Sequence, residues 1–136
     1  MSGIQGTSLL VELSNAMVRI HKEQFGRGPT SARSYFAGPD VIVSVLETVL
    51  LPAEKKMVDL GDQNRVRDSR VSFQAATAKE FIEAVEAIVG RKVHAFASGV
   101  DADRDVVFET FYFERDGSHD GVPTAERAEG SSRPAA

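Results

Sequence analysis

The chain has 136 residues, 42% of them apolar and 26% charged, with a net charge of −4, which is the size and make-up of one globular domain. The absence of cysteine excludes disulfides, thiolate metal sites and cysteine nucleophiles, and the acidic balance argues against a general nucleic-acid binder. No run approaches the ~20 apolar residues of a bilayer span, and Met1–Thr7 has no basic residue ahead of an apolar block, so a soluble cytoplasmic domain without direct membrane insertion is expected.

The first helix is expected over Ser8–Phe25, where Leu10, Leu13, Met17, Ile20 and Gln24 share one face, and Gly26, Gly28 and Pro29 end it. Two strands follow, Ala32–Phe36 and Val41–Leu50, around the turn Ala37–Asp40. In the second, Val41, Val43, Val45 and Val49 lie on one face and Ile42, Ser44, Leu46 and Thr48 on the other, with Glu47 breaking the Val face. Pro52 opens a short helical turn to Val58. A second long helix is expected from Asp62 to Val89, with Val66, Phe73, Thr77, Phe81, Val85 and Ile88 as its apolar stripe.

A second hairpin, Arg91–Ser98 and Asp105–Glu114, closes the domain around the loop Gly99–Arg104. The order αββααββ predicts an α+β two-layer sandwich, with two long helices on one face of a four-stranded antiparallel sheet. The domain is expected over residues 8–114. Residues 115–136 have Val122 as their one large apolar residue and read as a disordered tail. Three of the basic and four of the acidic residues fall in that tail, so the acid excess belongs to the domain.

Several spaced motifs resemble the MpsC family, named after a component of a Na⁺-translocating, membrane-potential-generating system. They are Leu13-Ser14-Asn15-Ala16, the run Phe25–Arg33, Leu50–Lys55, the helix end Ala84–Val93 and the loop around Asp101–Asp105. The resemblance implies a non-enzymatic soluble accessory or regulatory partner of a membrane system handling ions or bicarbonate, placed at the inner face of the membrane through that partner.

Read from the residues, the loop Gly26–Arg33 is the strongest functional candidate. Arg27 and Arg33 offer forked donors for a carboxylate, bicarbonate or phosphate, and Gly28 lets backbone amides approach it. It lacks the spacing and lysine of a P-loop. The alternative is structural: Gly26 as a left-handed helix cap, Gly28-Pro29 as a turn, and the arginines as surface or interface pairs. A small-anion or small-molecule sensor, or a cryptic enzyme using this loop and Glu47, is therefore the second function class.

No cofactor or metal site is expected. Asp101–Asp105 misses the EF-hand pattern, with Val106 and Tyr112 at the sixth and twelfth positions, and reads as a turn whose aspartates bond nearby amides. His21, His94 and His119 show no ligand spacing, and the first two are expected at a surface or interface. Glu47 reads as a carboxylate paired with Arg33, another basic residue or Arg70, which lies on the inner stripe of the second long helix, ahead of a general base. In the last strand Phe111 and Phe113 share one face and Phe108 and Tyr112 the other. Apolar residues on both faces predict a cover over the outer one, either a second copy in a homodimer or the short helix Pro52–Val58.

Overall fold

The computed structural model describes residues 5–115, so the predicted tail from 116 onward and His119 lie outside the described residues. The chain forms α1 (Gln5–Phe25), β1 (Ser31–Phe36), β2 (Val41–Glu47), α2 (Pro52–Asp59), α3 (Gln63–Ala76), α4 (Ala78–Val89), β3 (Val93–Asp101) and β4 (Val106–Phe113). The two hairpins join through β2 and β4 into one antiparallel sheet of order β1-β2-β4-β3. This is the α+β layering read from the sequence, with one more helix.

The extra helix comes from a break at Thr77 in the segment expected to be continuous, so the observed order is αββαααββ. Thr77 leaves helical geometry at φ −107°, ψ 18°, and its hydroxyl bonds back to the Phe73 carbonyl at 3.0 Å. A β-branched residue that bonds back in this way competes with the helical ladder and bends it. On α3 the expected inner stripe holds at Val66 and Arg70 and fails at Phe73. Val66, Arg70 and Gln74 are buried, while Phe73 turns outward and packs its ring 5.1 Å from that of Phe25.

α1 ends as its glycines predict. Gly26 takes φ +84°, a conformation that costs glycine nothing, and its N–H bonds the Lys22 carbonyl at 2.8 Å. The core lies between the helices and the inner sheet face, around Leu13, Met17, Ile42, Leu46, Phe81 and Val107. Phe81, Phe96 and Phe111 stack through it at centroid spacings of 5.4 and 4.8 Å. A smaller cluster of Leu50, Val66 and Ala102 is covered by Met57 and Val58 of α2. That helix packs on α3 and does not supply the expected cover for the outer sheet face.

Phe111 and Phe113 point into the core, and Phe108 and Tyr112 point out. The outer face carries Val41, Val43 and Val45 beside Phe108 and Tyr112, which are 42% and 40% exposed. At the end of β2 the alternation stops because Thr48 takes φ 60°, which lets Val49 turn inward into the core. Asp105, also at positive φ, holds this corner: its Oδ1 accepts from the amides of Val49 at 2.7 Å and Leu50 at 2.9 Å. The expected role of the aspartate loop in bonding amides is what the chain shows, with Asp101 accepting from the Arg104 amide at 3.1 Å.

Candidate functional site

The inner face of the sheet is not uniformly apolar. In one cross-strand row, β1 contributes Ser34, β2 Ser44, β4 Glu109 and β3 Ser98. Ser44, Glu109 and Ser98 have core-facing neighbours two residues away on both sides and Ser34 has one in Ala32, so the pleat carries all four inward. Glu109 and Ser44 are buried, at 0% and 1% exposure. Unsatisfied polar groups at such depth are costly, and the row meets this with a hydrogen-bonded network.

Glu109 accepts short hydrogen bonds from the Ser98 hydroxyl at Oε1 and from the Gln74 side-chain amide at Oε2. His21, reaching in from α1, completes the cluster. Its Nδ1 lies 2.8 Å from the Met17 carbonyl, which can only accept, so Nδ1 carries a hydrogen. Its Nε2 stands 3.1 Å from Gln74 Nε2 and 3.3 Å from Glu109 Oε2. Edge-on contact with Phe81 and the ring of Phe25 close the site from solvent.

A second polar unit lies one turn earlier on α3. Arg70, 1% exposed, forks onto Glu54 of α2 and also donates to the Val49 carbonyl at 3.2 Å. Its guanidinium carbon sits 3.7 Å from the centre of the Phe25 ring. Burial acts to raise the Glu54 carboxyl. Hydrogen bonds from Arg70 and from the Leu51 amide, and the Arg70 charge, outweigh it and hold the group below its ordinary value of 4.5.

At the opposite end of the row, Ser44 bonds Ser34 at 2.7 Å and Ser34 bonds Ser14 of α1 at 2.9 Å. Ser14 and Ser34 form part of the floor of a surface groove of about 420 Å³ between α1 and β1, lined also by Leu10, Val11, Arg33 and Tyr35. The hydroxyls therefore run from a groove inward to the strand beside Glu109.

The residues singled out in the sequence fall in different places. Arg33 is exposed on β1 and lines this groove; Arg27 is half-buried in the turn after α1. Neither makes an ion pair or side-chain hydrogen bond among the described residues. Gly28 has a packing reason to be glycine: a β-carbon there would meet Val18 Cγ1 at 3.1 Å and the Val18 carbonyl at 3.2 Å. Glu47 is exposed at the end of β2; of the partners named for it, Arg70 belongs to Glu54 and Arg33 makes no ion pair among the described residues. His94 is exposed as expected, edge-on to Tyr112, but His21 is fully buried, because the helix face that carries Met17 also carries it inward. Glu109 and Gln74 were not singled out. Glu109 shares the parity of Phe111 and Phe113, and that was the available signal.

A family model described as the Na⁺-translocating membrane potential-generating system (MpsC) matches residues 6–115. The chain belongs to the MpsC family. No curated protein and no solved structure matches it. The match covers both hairpins and all four helices, so the buried row, the Arg70–Glu54 pair and the groove all lie within the MpsC domain. No group of three or more histidines, aspartates or glutamates suited to a metal ion occurs among the described residues.

Proposed function

We propose that this MpsC-family protein is a non-enzymatic accessory or regulatory subunit of a membrane ion or bicarbonate transport system, acting as a homodimer. The observation that carries the reading is the outer sheet face. Val41, Val43, Val45, Phe108 and Tyr112 form a continuous apolar surface there, while the long helices pack on the opposite face. Apolar surface of this kind on a small domain marks a protein contact. No described helix is long and apolar enough to cross a membrane, so coupling to a membrane process would pass through a partner. Affinity capture of the tagged full chain from gently solubilised native membranes tests this. Enrichment of an integral ion-transport subunit is the expected result; capture of soluble proteins alone would overturn it.

A second reading is favoured by the two arginines, Arg27 and Arg33, that make no ion pair or side-chain hydrogen bond among the described residues. With Arg33 on the groove and Arg27 in the adjoining turn, the segment Gly26–Arg33 offers cationic donors to a small anion such as bicarbonate or phosphate, and would make the protein a sensor.

A further inference from the structure

The polar row has a proton bookkeeping that its geometry fixes. With Nδ1–H committed to Met17, a neutral His21 has only a lone pair at Nε2. Gln74 can then serve both acceptors, one amide hydrogen to His21 Nε2 and the other to Glu109 Oε2. In that state the cluster carries the single negative charge of Glu109, wholly buried. Yet Nε2 and Oε2 lie 3.3 Å apart, two lone pairs face to face across a gap that one hydrogen would bridge.

We propose that His21, Gln74 and Glu109 form a buried proton-binding site, served from the surface groove by the hydroxyls of Ser14, Ser34 and Ser44. Uptake of one proton from solvent converts the Nε2–Oε2 contact into a charge-assisted hydrogen bond and brings the cluster from a charge of −1 to zero. Gln74 keeps its bond to Glu109 and gives up the one to His21. The site thereby changes the link between α1 and α3 without changing the link between α3 and the sheet.

Among the described residues the surroundings supply no competing charge within hydrogen-bond reach. α1 contributes His21 itself and the Phe25 ring, α4 contributes Phe81, and the flanking strands contribute Ser44 and Ser98. The nearest cation on α3, Arg70, is committed to Glu54. On the access side, Ser14, Ser34 and Ser44 form an unbroken chain of hydroxyls at 2.9 and 2.7 Å, and hydroxyls can both donate and accept. Ser44 is directly opposite Glu109 in the β2–β4 register, which puts the two side chains side by side on the inner face. This inference is independent of the accessory-subunit reading.

Side-chain NMR on the full chain tests it, following the His21 ring nitrogens, the Glu109 carboxyl carbon and the Gln74 amide through a pH series in which the fold persists. The expected result is one shared transition, in which His21 or Glu109 gains a proton and the Gln74 amide shifts with it. In Glu109→Gln the His21 transition should move to lower pH. If none of the three signals moves in the native chain, or if His21 titrates identically in Glu109→Gln, the site does not exist. Should that variant fail to fold, the native titration alone decides. For the route, Ser44→Ala should slow solvent exchange of the His21 ring hydrogen at least tenfold; unchanged exchange would remove the serines from the proposal.

Discussion

Arg70 engages both carboxylate oxygens of Glu54, donating from Nε to Oε2 at 2.8 Å and from Nη2 to Oε1 at 2.6 Å. The arginine is buried and the glutamate nearly so, with side-chain exposures of 1% and 18%. Glu54 also accepts from the Leu51 amide at 2.7 Å, so one carboxylate starts α2 and anchors α3. Removing it strands a buried cation. Glu54→Gln should lower unfolding stability by about 3 kcal/mol, at the lower end for a broken buried pair because Glu54 keeps some solvent contact. Urea denaturation measures it, and Arg70→Met combined with Glu54→Gln should recover part of the loss.

The same pair sets an acid dependence. The folded chain holds Glu54 below 4.5, so on acidification the unfolded chain takes up this proton first. Its stabilising contribution is fully present above the unfolded value and is lost as pH falls through the lower folded value. Urea midpoints taken downward from pH 6 should therefore fall less steeply in Glu54→Gln than in the native chain. Parallel curves would mean that Glu54 carries no linkage.

How far the sequence announced all this differs from element to element. Period-two alternation put Phe111 and Phe113 on one face and Phe108 and Tyr112 on the other, leaving to the structure which face is inner, and helical spacing found Leu13, Met17 and Ile20. Those patterns are legible because an apolar residue on an element face has a default destination. Arg70 was expected on the inner stripe of its helix and is buried there, but Gln74 and His21 defeat the same logic, since a polar residue on a helix normally signals the solvated side. On α3 the expected stripe held Val66 and Arg70 correctly but included Phe73, whereas Gln74, four residues after Arg70, continues the true inner face. Glu109 was readable by parity alone, but its partners come from elements distant in sequence, and no spacing rule joins positions 21, 74 and 109.

Asp105 gives a sharper test of the corner between β2 and α2. Its carboxylate caps two otherwise free amides, those of Val49 and Leu50, and its own backbone sits at φ 57°. Asp105→Ala loses both bonds and places alanine in left-handed geometry, so a loss of about 2–3 kcal/mol is expected. Asp105→Asn keeps an acceptor oxygen and a side chain that tolerates this φ, and should cost clearly less. Equal losses, read from thermal melts, would show that the charge and not the bonding geometry matters.

The outer sheet face predicts association. Phe108 and Tyr112 flank Val43 and Val45 there, and a second copy would bury all of them. Light scattering at micromolar concentration should report a dimer, and Phe108→Asp should give a monomer that melts at nearly the native temperature, since Phe108 is outside the core. A native chain that is monomeric under these conditions removes the homodimer.

The segment Gly26–Arg33 can be divided by mutation into its packing role and its anion role. Gly28 approaches Val18 so closely that in Gly28→Ala the Val18 side chain or the turn has to give by a few tenths of an ångström, and a cost of about 1 kcal/mol is expected whether or not an anion binds. Arg27 and Arg33 make no ion pair among the described residues, so replacing both with alanine should leave stability within about 0.5 kcal/mol of native. If the segment binds an anion, amide signals of Gly26–Arg33 should shift saturably on titration with bicarbonate or phosphate, and the double variant should lose that response. Raising the salt should weaken the shifts, because exposed charges at this distance are screened. A loop that stays silent to both anions in the native chain leaves Gly26 as a helix cap, Gly28 as a packing residue, and the two arginines as surface charge.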